Sequence, residues 1–205
     1  MKKTFRFLLM GIMAVSMAFT SCKDDEEDSK PQPEQTSFSY NLEGETSWEP
    51  KSLIVGEEEG YVIALAAKDL TTQEILEFFN GSGLDGGVEV PSNIFMMGLP
   101  NVVGEVAVTG NLLDEAGSPY GCIFITGTTE LMGQSIPTGW VSTSATINVT
   151  KLDLTAMKYS ATMSATMGDF ISIMTEGLMG SSETKTFTAS LQNVSLVDIY
   201  AMMGK

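Results

Sequence analysis

The sequence contains no histidine, and its only arginine is Arg6. Histidine is the side chain that most often serves as a general acid or base near neutral pH, and its ring nitrogens are common zinc and copper ligands. Serine–histidine and cysteine–histidine hydrolase mechanisms are therefore impossible within this chain. The guanidinium fork that binds phosphate or carboxylate is also missing beyond Arg6. We expect a protein that is not an enzyme and that holds no cofactor and no metal.

Cysteine and positive charge are also scarce. The chain has two cysteines, Cys22 and Cys122, so a framework of several disulfides is excluded. Cys122 lies in the apolar run 121–125, where a lone cysteine is typical of a small core residue. Eleven lysine and arginine residues stand against 26 acids, for a formal net charge of −15. Such an acidic chain repels phosphate backbones, so we expect no nucleic-acid partner.

The first 21 residues have the three-part layout of a secretory signal. Lys2, Lys3 and Arg6 form a basic start, residues 7–19 form an apolar run, and Thr20 and Ser21 precede Cys22. A membrane-spanning helix needs about 20 apolar residues. The run is shorter and acids follow it closely, so we interpret residues 1–21 as a signal peptide.

Residues 1–22 resemble the precursor of a bacterial lipoprotein, in which the cysteine after the small residues is acylated and becomes the mature N-terminus. One position departs from that pattern, because Phe19 stands where leucine is usual. The resemblance implies lipidation of Cys22, by palmitate or a similar acyl chain, and a membrane partner reached through the lipid anchor. Two or more acyl chains are enough for stable anchoring.

An acidic run follows the cysteine directly. It consists of Lys23, Asp24, Asp25, Glu26, Glu27 and Asp28. The run resembles the export signal of Bacteroidetes-type surface lipoproteins, which implies an outer-membrane lipoprotein that faces the cell exterior. The alternative is that these charges only form a solvated tether. The polar, proline-bearing composition predicts a disordered tether over residues 22–36.

Residues 37–205 are predicted to form one all-β domain, a single antiparallel β-sandwich or flattened barrel of about eight strands with one or two short helices. Runs 145–150, 159–167 and 187–192 alternate apolar residues with Ser, Thr, Asn or Gln, as a sheet with one solvated face requires. Further strand patterns cover 38–42, 52–55, 61–67, 94–97, 102–108 and 122–126, and residues 133–140 read as a loop. Thr71 and Glu74 form a capping box that predicts a helix ending near Gly81, and a second short helix is predicted within 169–180.

The order of elements at the C-terminal end resembles small lipoproteins of unknown function from the same bacterial group. The residues that carry this likeness are two alternating strands joined at Leu152-Asp153, followed by an insert and a third strand. Some of those lipoproteins have calycin-like or sandwich folds. The resemblance therefore implies an all-β fold and no activity.

Trp48, Tyr120 and Trp140 are the candidate ligand-binding residues, because each stands beside loop-like sequence. Exposed aromatic rings can stack on sugar rings, although aromatic side chains more often bury their area in a core. With the predicted surface location, they suggest a non-enzymatic binding or accessory protein whose partner is a glycan or an outer-membrane protein.

Three alternatives remain open at this point. A calycin-like carrier of a small apolar ligand would line an internal cavity with Tyr159, Met163, Met167 and Phe187. A glycosidase would need two converging carboxylates, and the sequence does not indicate which pair. Clustered methionines can bind copper(I), yet those on alternating strands commonly fill gaps in a core.

Overall fold

The computed structural model describes residues 36–58, 60–80, 91–110, 118–131, 134–174 and 183–198. The predicted signal peptide, the lipidation site Cys22, the export signal 23–28 and the tether through residue 35 lie outside the described residues. The first strand begins at Ser37, which is where the predicted domain begins.

Ten strands and two helices make up the described part of the chain. They are β1 (Ser37–Leu42), β2 (Ser52–Glu58), β3 (Tyr61–Ala67), α1 (Thr72–Asn80), β4 (Ile94–Pro100), β5 (Gly104–Thr109), β6 (Gly121–Leu131), β7 (Gln134–Asp153), β8 (Lys158–Asp169), α2 (Phe170–Met174), β9 (Thr184–Ser195) and β10 (Val197–Asp198). Neither helix is long and apolar enough to cross a membrane.

The predicted all-β class with short helices is confirmed. The strands form one continuous sheet in the order β1-β9-β8-β7-β6-β4-β3-β2-β10, with β5 paired to β7 beside β6. All pairings are antiparallel except that of β10 with β2. The sheet thus has ten strands, where about eight were expected.

The sheet curls so that one face encloses the main core. Strands β1 and β4 are far apart in the sheet order, yet the ring centroids of Tyr40 and Phe95 lie 4.3 Å apart. The hydroxyl group of Tyr159 on β8 donates to the carbonyl oxygen of Pro100 on β4 at 2.8 Å. β10 follows β9 after Leu196 and pairs with β2, so the chain itself connects these distant parts of the sheet.

The alternation of strand residues sorts apolar and polar side chains onto opposite faces. Along β8, Tyr159, Met163 and Met167 are buried in the core, while Thr162 and Ser164 between them are exposed. β7 and β9 repeat the pattern, as their sequences predict. Burying a large apolar side chain contributes about 1.5–3 kcal/mol, which makes this inner face the main source of stability.

The two helices cover only part of the outer face. α1 starts at the predicted capping box, in which the Glu74 carboxylate accepts from the Thr71 backbone N–H at 2.7 Å. Its buried residues pack in one cluster with β2, β3 and β4. Phe170 of α2 packs on β6 and β7. The outer face of β1, β9, β8 and the second half of β7 is left exposed.

Two local predictions were wrong. Residues 133–140 were read as a loop, but β7 starts at Gln134 and forms a long hairpin with β6. Gly139 has a φ of 149° and lies opposite the register shift in β6, where glycine accommodates the irregular backbone conformation. Residues 102–108 were read as a strand, but the strand begins at Gly104. Val102 and Val103 lie instead in the turn before it.

Candidate functional site

The exposed part of the outer face carries a shallow groove of about 560 Å³. Its floor consists of side chains from β1, β9, β8 and β7, with β5 at one margin. Ligand pockets in proteins usually have volumes of about 300–1,000 Å³, so the groove has the size of a small-ligand site. It is the best candidate site among the described residues.

Strand register arranges the groove side chains in two rows that cross the strands. The first row runs Ser39, Ser190, Thr162, Asn148 and Glu105, each residue directly opposite the next. Adjacent strands lie about 4.8 Å apart, so this row extends roughly 19 Å. We call it the Glu105 row. Its residues come from five strands that are not all neighbours in the sequence.

The second row lies two residues away from the first on each of four antiparallel strands. It runs Asn41, Thr188, Ser164 and Thr146, again through directly opposed positions. We call it the Asn41 row. Two residues advance a strand by about 6.7 Å, which sets the distance between the rows. All four of its side chains are exposed.

Apart from Glu105, the side chains of the two rows are neutral and polar. A serine or threonine hydroxyl both donates and accepts hydrogen bonds, and an asparagine amide offers both functions as well. Glu105 is the one groove-lining residue with a charged side chain, and no lysine lines the groove. Such a surface fits a neutral ligand rich in hydroxyl groups better than an anion or an apolar molecule.

The groove has little internal pairing to satisfy its polar atoms. Gln192 Nε2 donates to the Ser190 hydroxyl at 2.9 Å, within the same strand. The remaining hydroxyl and amide groups of the rows face solvent. They are therefore available to a ligand without breaking a hydrogen bond in the core of the domain.

None of the three aromatic residues singled out from the sequence lines this groove. Trp140 is buried with 8% of its surface exposed, and Lys185 Nζ lies 4.2 Å from its ring centroid. Trp48 is half-buried, and its ring centroid lies 5.2 Å from that of Tyr40. Tyr120 is half-buried against the main core.

The structure brings two of these three aromatics to the same end of the sheet. Trp140 contacts Lys185 near the start of β9, and Trp48 packs near the end of β1, which pairs with that part of β9. Tyr120 lies at the other end and interacts with Tyr159. The three residues therefore do not form one binding surface, and their role as ligand contacts stays a prediction.

Trp48 has one further property of note. Its Nε1 atom is buried and has no hydrogen-bond partner among the described residues. Its backbone N–H donates to the Tyr40 hydroxyl oxygen at 3.0 Å. Burial raises the pKa of that Tyr40 hydroxyl group above its ordinary value.

Cys122 and the described acidic side chains are of the types that catalysis or metal binding can use. Cys122 is completely buried, and this burial raises the pKa of its thiol, so the reactive thiolate is not formed near neutral pH. No group of three or more acidic or cysteine side chains in the described ranges is arranged to hold a metal ion. These findings concern only the described ranges.

The positions at which a carrier would line its cavity are filled by core packing. Tyr159, Met163, Met167 and Phe187 all belong to the main core and expose at most 4% of their surface. The groove lies on the opposite face of the same strands.

The hydroxyl-rich faces of β7, β8 and β9 are evident from the sequence, but the groove is not. The available signal was the concentration of Ser, Thr and Asn at alternate positions of the three strands. Comparison of the chain with protein-family models, curated proteins and solved structures found no match.

Proposed function

We propose that the protein is a lipid-anchored protein of the outer membrane, displayed on the cell exterior, that binds a neutral glycan through the groove. The supporting observation is the pair of hydrogen-bonding rows that cross β1, β9, β8 and β7. The anchor and the address are supported by the sequence around Cys22. The function is that of a non-enzymatic binding or accessory module.

Glycans suit these rows because their hydroxyl groups both donate and accept along an extended chain. A single net hydrogen bond contributes about 0.5–1.5 kcal/mol, and the groove offers no exposed aromatic ring for stacking. Several such bonds, offset by the entropy of ordering the ligand, give a dissociation constant on the order of a millimolar. Multivalent display on a membrane would strengthen this binding.

Binding is tested by applying the full chain to a glycan array. The saccharides that bind are then titrated in solution to measure their affinities. Thr162→Val and Thr188→Val remove one hydroxyl from each row and keep a β-branched side chain of similar size. Each should weaken binding about fivefold to tenfold. Thr128→Val is the matched control, because Thr128 is exposed on β6 away from the groove. Equal affinities in all four proteins would refute a glycan site in the groove.

An outer-membrane protein is the second kind of partner that the sequence suggests. Pull-down from envelope extracts with wild type and Thr162→Val separates the two cases. If the wild type captures a single envelope protein that Thr162→Val does not capture, and no saccharide binds, then the partner is a protein and not a glycan.

Anchoring is tested by changing the cysteine that would carry the lipid. Cys22→Ala should release the protein from the membrane fraction and abolish metabolic labelling with a fatty acid. Cys122→Ala is the control, because Cys122 is buried in the described core and cannot reach an acyltransferase. Unchanged labelling of the Cys22→Ala protein would refute the anchor.

Surface display is tested separately by deleting residues 23–28. On whole cells, this deletion should change the domain from protease-accessible to protease-protected. Deletion of residues 29–34, of the same length but with only one acid, is the control and should leave the domain accessible. Equal accessibility of the two deletion proteins would show that the acidic run carries no address.

A further inference from the structure

Four large apolar side chains are exposed in the described part of the chain, and all of them lie in two turns. Val102 and Val103 expose 56% and 63% of their surface in the β4–β5 turn. Leu154 and Met157 expose 51% and 37% in the β7–β8 turn. Single exposed apolar residues are common, but large ones concentrated in two turns call for an explanation.

The two turns are neighbours at one end of the sheet. Pro100, two residues before Val102, accepts a hydrogen bond from Tyr159, two residues after Met157. Gly104, which follows Val103, is paired with Val149 near the end of β7. The four side chains therefore project from one region at this end of the sheet. We call this region, residues 101–104 and 154–157, the apolar end.

The chain that leads back to Cys22 leaves the domain at this same end. Thr36 is the first described residue, and its hydroxyl donates to the carbonyl oxygen of Asn193 at 3.2 Å. Asn193 lies two residues before Ser195, which is paired with Lys158 at the β7–β8 turn. The segment between Cys22 and Thr36 therefore starts beside the apolar end.

The backbone of the β7–β8 turn adds a separate observation. Met157 has a φ of 52°, a left-handed conformation that glycine or asparagine adopts more easily. This backbone region is disfavoured for residues other than glycine, because the Cβ atom comes close to the carbonyl oxygen. A glycine here would relieve the backbone strain and remove the exposed methionine side chain.

We propose that the apolar end rests in the interface of a zwitterionic phospholipid bilayer and orients the domain on the membrane. This inference rests on the lipid anchor of the proposed function. The segment between Cys22 and Thr36 spans at most about 50 Å, so an acylated Cys22 keeps the apolar end within reach of the bilayer. Valine, leucine and methionine side chains then enter the boundary between headgroups and acyl chains, as interfacial elements do.

The charges around the apolar end set the kind of surface that it fits. Glu57 and Asp198 are paired across β2 and β10 at this end, and Glu105 and Asp153 flank the two turns. Lys151 and Lys158 are the lysines beside the turns. With acids in excess, an anionic lipid surface is disfavoured and a zwitterionic one is accepted.

The test measures the depth of tryptophans placed at the apolar end. Val103→Trp and Leu154→Trp are introduced separately into the full chain, which is isolated in acylated form and reconstituted into phosphatidylcholine vesicles. Half of the samples carry bromine on the acyl chains, which quenches nearby indole fluorescence. Thr129→Trp is the matched control, because Thr129 is exposed near the tip of the β6–β7 hairpin, at the other end of the sheet.

We expect the emission of the tryptophan at position 103 or 154 to fall by roughly half in brominated vesicles, since interfacial side chains lie about 5–10 Å deep. The Thr129→Trp protein and the wild type, with Trp48 and Trp140, should show little change. Quenching that is equal in all variants, or absent from both reporters in protein with acylated Cys22, would overturn the inference and leave the anchor standing. If the reporters are shielded from a soluble quencher but are not quenched by bromine, the apolar end contacts a protein partner. That result would also overturn the inference. A chain that proves not to be acylated would refute the anchor itself, a result that mass spectrometry of the same sample distinguishes.

Discussion

Gly139 lies in β7 opposite Ile125 of β6, at the register shift of the long hairpin. Its φ of 149° falls in a region that side chains other than glycine rarely adopt. A Cβ atom placed on this residue would lie 1.9 Å from the carbonyl oxygen of Phe124 and 3.1 Å from the Cα atom of Ile125. Both contacts are with backbone atoms, so no side-chain rotation can relieve them. The Gly139→Ala substitution should therefore force β6 and β7 apart.

The magnitude follows from two contributions. A non-glycine residue held in a disfavoured backbone region costs about 1–3 kcal/mol. Forcing extra volume into a well-packed position costs a further 1–3 kcal/mol or so, because the neighbouring backbone must shift. We expect Gly139→Ala to lower the free energy of unfolding by about 2–6 kcal/mol. Domains of this kind have a total of about 5–15 kcal/mol, so the loss is a large fraction.

The assay is urea unfolding of the full chain, followed by far-ultraviolet circular dichroism and by tryptophan fluorescence. Gly127→Ala is the matched control in the same hairpin, because its added Cβ would meet only the Thr138 hydroxyl oxygen, at an ordinary 3.5 Å. That control should be neutral or stabilising by up to about 1 kcal/mol. Similar unfolding midpoints for the two variants would refute the reasoning.

Two further substitutions test buried and capping hydrogen bonds. Tyr159→Phe leaves the carbonyl oxygen of Pro100 without its partner and should cost about 1–2 kcal/mol in urea unfolding; a variant as stable as wild type would contradict this. Burial raises the pKa of Tyr159 and of Cys122 above their values in the unfolded chain. The stability that these neutral groups contribute is therefore fully present below the unfolded pKa and is lost as pH rises from there through the folded pKa. The urea concentration at the wild-type unfolding midpoint should therefore decrease above about pH 9. Tyr159→Phe should make this decrease with pH less steep near about pH 10. Thr71→Ala removes the hydroxyl that accepts from the Glu74 backbone N–H. Amide hydrogen exchange in α1 should therefore accelerate, while exchange in β8 should be unchanged. Exchange in α1 at the wild-type rate would show that the cap is dispensable.

The local features of the fold could be read from the sequence because neighbouring residues determine them. The capping box of Thr71 and Glu74 needs only three residues of spacing, and it is present with the expected hydrogen bonds. The alternation in β8 likewise gives the buried and exposed faces directly. These signals depend on strand and helix geometry and not on distant parts of the chain.

The groove could not be read in the same way, because it depends on which strands become neighbours. Ser39 enters the Glu105 row only because β1 pairs with β9, and no local pattern in 37–42 indicates that partner. The aromatic prediction had a different weakness. Loop-like sequence beside a tryptophan favours an exposed ring, but Trp140 is in a long strand and Trp48 packs against Tyr40 and Phe95.

The pairing of β1 with β9 has a consequence for the biogenesis of the protein. Thr36 and Asn193 are in contact although they are 157 positions apart, and β2 receives its β10 partner from residues just beyond Asn193. Because the chain is synthesised from its N-terminus, neither margin of the sheet can be completed before β9 and β10 have been made. Contacts between such distant positions slow folding, and unpaired strand margins invite aggregation in the meantime. Newly made copies thus pass through a stage in which two β margins need protection, most acutely while β9 has not yet been synthesised.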